Sequence, residues 1–138
     1  MPVRSTRSLE LTLILEAPKQ VQRAILILWA SWAIGVVITA VSLVGKNGGM
    51  IWLFFGLAFW ANGWLIHQAS MRANWARIVI LVLAATAFFG SIALFVPEED
   101  SLWDIAEGVL LGGLELIACY WLFVGEGKRW YSKQTAEA

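Results

Sequence analysis

The chain has 138 residues, of which 59% are hydrophobic and 14% charged, with ten Lys and Arg balancing ten Asp and Glu. Its mean hydropathy is +0.70. So apolar a chain excludes a water-soluble helical globule, whose helices would each need a polar face, and points to the bilayer as solvent.

The placement of charge is more informative than its total. No ionisable side chain stands between Arg23 and Lys46, between Lys46 and His67, or between Arg77 and Glu98. A helix needs ~20 mostly apolar residues to cross a hydrocarbon core of ~30 Å, and each gap supplies them. A fourth span fits between Asp104 and Glu126, although it contains Glu107 and Glu115. The expected fold is an all-α membrane protein, four transmembrane helices in an up-down antiparallel bundle with both termini cytoplasmic.

In chain order, residues 1–17 form an expected N-terminal interfacial arm, in which Leu9, Leu11, Leu13 and Leu15 alternate with polar residues. Glu10, Glu16 and Lys19 interrupt any apolar signal-peptide core, so no cleavable leader is expected. Pro18 suits the first turn of a helix, where its missing N–H costs nothing, and opens a first helix over 18–44. The glycine-rich link Gly45-Lys46-Asn47-Gly48-Gly49 stops it and folds the second helix, 50–70, antiparallel beside it. Arg72, Asn74, Trp75 and Arg77 precede a third helix over 78–96, which Pro97 ends. Ser101, with Asp104 three residues later, reads as an N-cap followed by an acidic first turn and starts a fourth helix over 102–124. These four helices make a transmembrane domain over 18–127, and residues 128–138 are left as a cytoplasmic tail.

Orientation follows from the cations. Arg4, Arg7, Lys19, Arg23, Arg72, Arg77, Lys128, Arg129 and Lys133 fall on one side, and Lys46 alone on the other, with Glu98, Glu99, Asp100 and Asp104. Short loops rich in Lys and Arg stay inside, so the expected setting is the cell inner (plasma) membrane, multi-pass, with the basic side cytoplasmic. Trp52 and Trp103 then mark the outer membrane boundary, and Trp75, Trp130 and Tyr131 the inner one. Trp29, Trp32, Trp60, Trp64 and Trp121 sit deeper.

Glu115 is the first candidate for chemistry, because an ionisable group well inside a span is costly unless it is paired, protonated or wet. Counting ~1.5 Å per residue, it lies at the depth of Asn62 on the second helix, whose amide is the expected hydrogen-bond partner. Glu107, eight residues earlier, either borders the same cavity or, the favoured expectation, turns to the outer interface. His67, near the inner end of the second helix, is expected to hydrogen-bond at the interface and is a conceivable proton exit. Gly108 and Gly112 on the fourth helix and Gly35 on the first provide small surfaces for close helix packing. One histidine with no acid or cysteine at ligand spacing makes no metal site, and phosphate loops and nucleophile elbows are absent from the sequence. Neither cofactor nor metal is expected, and with loops too short to hold a soluble active site the protein is expected not to be an enzyme.

Three functions are compatible with this reading. The leading one is a non-enzymatic accessory or oligomeric subunit of a membrane complex, its partners the lipid bilayer and copies of itself or other membrane subunits, with no nucleic acid. The second is a proton- or cation-coupled small transporter or channel using Glu115. The third is an immunity protein against a membrane-targeting toxin.

Overall fold

The computed structural model describes residues 15–45, 48–94, 97–98 and 101–137, with side chains described as far as Lys133. Most of the expected interfacial arm, including Arg4 and Arg7, lies outside the described residues, as do Lys46, Val96, Glu99 and Asp100. Among the described residues five helices are complete, in order α1 (Lys19–Leu43), α2 (Gly49–Ser70), α3 (Asn74–Ala93), α4 (Leu102–Phe123) and α5 (Glu126–Glu137). The first four have 25, 22, 20 and 22 residues, long enough at ~1.5 Å per residue to cross a bilayer core.

Side-chain exposure supplies the physical reason for reading them as spans. Leu26 of α1 is 68% exposed, Trp60 of α2 69%, Val82 of α3 58% and Leu110 of α4 65%. Apolar surface of this extent on every helix is stable against lipid and not against water. The protein is a small multi-pass membrane protein, and its four apolar helices run alternately up and down. Around the bundle each helix touches the next: α3 packs most extensively on α4, and α1 on α4, while α2 makes smaller contacts with α1 and α3. Thus α2 and α4 stand on a diagonal.

The α3–α4 contact is close because of glycine. A Cβ at Gly112 would approach the Phe88 backbone to about 3.0 Å, and one at Gly108 would collide with the Ser91 hydroxyl. The small surface on α4 is thus filled from within the chain. Gly35 of α1 faces the Phe59 ring. Ser101 caps α4 as part of a reciprocal box, its Oγ accepting from Asp104 N–H at 3.3 Å while Asp104 Oδ2 accepts from Ser101 N–H at 3.0 Å.

The buried core is concentrated at the basic end of the bundle, where α1 starts, α2 ends, α3 starts and α4 ends. Val21, Ala24, Leu28, Ile66, Ala69, Ile80, Cys119 and Leu122 pack there. Three side chains tie the helix termini together. Gln20 Nε2 donates to the carbonyls of Trp121 at 2.8 Å and Val124 at 2.9 Å, satisfying acceptors that the end of α4 leaves open. Arg77 Nη1 donates to Leu122 O at 2.7 Å, and its guanidinium lies 4.4 Å from the ring centroids of both Phe123 and Tyr131. Arg72 donates to Trp130 O from Nη2 at 2.9 Å.

Arg72 also occupies an unusual backbone position. Its φ of 66° puts a residue with a side chain where glycine normally ends a helix. The turn is closed by Arg72 N–H on Ala69 O at 3.2 Å and Ala73 N–H on Gln68 O at 3.1 Å. Holding a non-glycine residue in this left-handed region costs of order 1–3 kcal/mol, which the bonds to Trp130 offset.

Residues 126–137 form a helix instead of a plain tail. Gly125, at φ 61°, turns the chain sharply after α4, and Gly127 fits so tightly against the Trp121 and Leu122 carbonyls that no Cβ has room. The turn folds α5 back across the basic end. Trp130 and Tyr131, expected among lipid headgroups, are instead 7% and 1% exposed, because the tethers draw them inward. Tyr131 OH donates to Ala69 O at 2.6 Å, a second bond to the carbonyl that Arg72 N–H engages where α2 ends. Burial pushes the Tyr131 phenol above its ordinary pKa, against the opposing pull of the Arg77 guanidinium. Trp52, Trp75 and Trp103 remain exposed at the helix ends.

Candidate functional site

Toward the acidic end the bundle loosens around a cavity of about 550 Å³ bounded by all four spans. Its polar lining comes from Ser31 and Thr39 of α1, Asn62 of α2, and Glu107 and Glu115 of α4. The remainder is small or apolar, including Gly35, Phe59, Ala87 and Leu111.

Glu115 is held by α1. Ser31, 2% exposed, donates its hydroxyl to Glu115 Oε1 at 3.0 Å. The expected donor was Asn62, and the bundle geometry explains the difference. Depth along the helices matches Asn62 to Glu115, but α2 is diagonal to α4, so Asn62 lines the cavity from a helix that does not adjoin that of Glu115. α1 is the neighbour of α4 and can place a short hydroxyl against the carboxylate. The signal for this was present in the sequence: Ser31 is the only hydroxyl-bearing residue between Arg23 and Thr39, one helical turn before Gly35.

Glu107 is about two turns nearer the acidic end, ~12 Å along the axis. It lines the same cavity instead of turning away to the interface. The two carboxylates therefore border one space. His67 is outside the lining, near the basic end of α2, where its carbonyl accepts from Ser70 Oγ at 2.6 Å. The structure brings together three of the four candidate polar residues, Asn62, Glu107 and Glu115, and separates the fourth.

Trp32 braces the wall. Its indole Nε1 donates to Phe59 O at 2.8 Å, and its ring lies over Gly63, where a Cβ would come within 3.4 Å. It also stacks edge-on against Trp29 with ring centroids 5.6 Å apart. Trp32 thus joins α1 to α2 beside the cavity, so of the deep tryptophans this one shapes the site, while Trp60 faces outward.

Chemically, the site offers one carboxylate oriented by a single neutral donor and a second carboxylate farther along. An ionised carboxylate at this depth is stabilised by a proton, a cation or water, and a space of this size admits several waters or a small organic cation. Among the described residues no three His, Cys, Asp or Glu side chains gather as a metal-binding group. The chain matches no protein-family model, no curated protein and no solved structure.

Proposed function

We propose that this is a non-enzymatic integral protein of the cell inner membrane that binds a proton or small cation at Glu115, acting as a coupled small transporter or channel. The observation that carries this reading is the Ser31-anchored carboxylate in a cavity shared with Glu107 and bounded by all four spans. A carboxylate kept for packing alone would be closed off by its partners, whereas this one borders free volume. The nine-to-one distribution of Lys and Arg supports placing the basic end, with both termini, on the cytoplasmic side.

The test uses purified protein in liposomes containing a pH-sensitive dye, under an imposed pH gradient and then under a gradient of tetraethylammonium. Wild type is expected to carry protons or the cation, and Glu115→Gln, which keeps the shape and can still accept from Ser31, to abolish the flux. Equal flux in the two proteins, or none in wild type, sinks the proposal.

A second reading, a subunit of a homo-oligomer or larger complex, is favoured by α2. This helix packs least of the four spans and exposes Leu53, Leu57, Trp60 and Trp64 at helical spacing along one face. Disulfide crosslinking of Trp60→Cys in native membranes tests it, with a crosslinked dimer expected and monomer alone contradicting self-association through this face.

A further inference from the structure

A second cavity, of about 580 Å³, opens at the basic end between the start of α1 and the α4–α5 turn. It is independent of the Glu115 site, and the proposed transport chemistry makes no use of it. Three cations from two separated parts of the chain converge on it, Lys19 and Arg23 from α1 and Arg129 from α5, against a single carboxylate, Glu126. α1 adds its positive end: no side chain among the described residues caps it, and its first turn holds no acid. The Trp121 and Tyr120 rings form the wall nearest the bilayer. One turn deeper both helices become apolar, with Leu26 after Arg23 and Ile117 before Tyr120 exposed.

Cations at the mouth, an aromatic wall and an apolar track below follow the order of groups along a phospholipid. A free anion in water would be served by the cations alone. The exposed apolar side chains of α1 and α4 just below the cavity add a requirement that only a ligand with acyl chains meets. Gln20 closes the back of the cavity, its amide already engaged by the Trp121 and Val124 carbonyls, so the cavity is a fixed hollow tied to the packed end of the bundle. We infer that it holds the phosphate of one anionic phospholipid, with the acyl chains lying against the exposed apolar side chains of α1 and α4.

Native mass spectrometry of the detergent-solubilised protein, titrated with phosphatidylglycerol or with phosphatidylcholine, tests this. Wild type is expected to retain one phosphatidylglycerol in preference to phosphatidylcholine. Each cation near a membrane surface contributes roughly a five-fold gain in anionic-lipid affinity, so Lys19→Gln/Arg23→Gln/Arg129→Gln is expected to weaken retention roughly a hundred-fold. Lys128→Gln changes the same local charge outside the cavity and is expected to leave retention unchanged. Arg23→Gln alone, at an exposed position, keeps the test usable if the triple variant fails to fold. Equal loss with Lys128→Gln, or undiminished retention in the triple variant, shows diffuse surface charge and overturns the site. Displacement of the lipid by excess inorganic phosphate at equal affinity shows a free-phosphate site and overturns the lipid assignment.

Discussion

The two ends of the bundle are made from the same four helices but are held together differently. At the basic end, Gln20, Arg72, Arg77 and Tyr131 each donate to a backbone carbonyl of another helix, Gln20, Arg77 and Tyr131 at the end of α4 or α2 and Arg72 within α5. Toward the acidic end the long-range side-chain hydrogen bonds among the described residues are fewer, Ser31 to Glu115 and Trp32 to Phe59 O, and a cavity remains between the spans. In a bilayer, lipid is as apolar as leucine, so helices gain little from packing greasy faces together, and tethers with small-residue contacts decide where a bundle is tight. The protein is therefore fastened at one end and adaptable at the other. The tethering side chains of the fastened end serve structure, while the carboxylates of the looser end, and the cations that line the hollow beside the tethers, are available to a ligand.

Four substitutions sharpen or break this contrast, each read as a change in unfolding free energy in mixed detergent–SDS micelles. The largest effect is expected from Arg77→Met, which removes the donor to Leu122 O and the cation between Phe123 and Tyr131, at a cost of about 3 kcal/mol. Gly112→Leu, which forces α4 away from the Phe88 backbone, is expected to cost about 2 kcal/mol. Tyr131→Phe, losing only the hydroxyl bond to Ala69 O, is expected to cost about 1 kcal/mol. Ser31→Ala should cost the least, about 0.6 kcal/mol, the average for a hydrogen bond between membrane helices. If Ser31→Ala equals or exceeds Arg77→Met, the division into a fastened and an adaptable end is wrong.

The phenol also gives the contrast a pH signature. The unfolded Tyr131 ionises near its ordinary value of 10.0, whereas burial keeps the folded one protonated to higher pH. The contribution of this group is therefore whole below about pH 10 and is lost as the pH rises above it. The stability difference between wild type and Tyr131→Phe is expected to be constant from pH 7 to about pH 9 and to shrink above pH 10. A difference that stays constant at higher pH contradicts a buried phenol.

Three spans were legible from charge-free stretches of 20 residues or more, and Ser101 with Asp104 marked the start of the fourth correctly despite its glutamates. The start of α3 was less visible. Arg77 looks in sequence like a residue outside the membrane, yet α3 begins at Asn74, because the guanidinium is engaged within the protein by Leu122 O and two rings. The same ambiguity hid α5: a basic and aromatic stretch after glycines fits headgroups as well as it fits an intramolecular clasp, and only the placement of the α2 and α4 ends beside it distinguishes the two. At the candidate site, helical rise gave the height of Glu115 but not the angular order of the helices. Asn62 was therefore matched in depth while Ser31, on the adjacent helix, makes the bond.

The clasp from α5 to α2 has a consequence in time. Synthesis runs from α1 toward α5, so all four spans can be in the bilayer while the Ala69 carbonyl still lacks its phenol and Arg72 its carbonyl partner. Those bonds wait for Trp130 and Tyr131 to leave the ribosome. The clasp is therefore closed at the membrane face where α1 begins, and only after α5 has returned there.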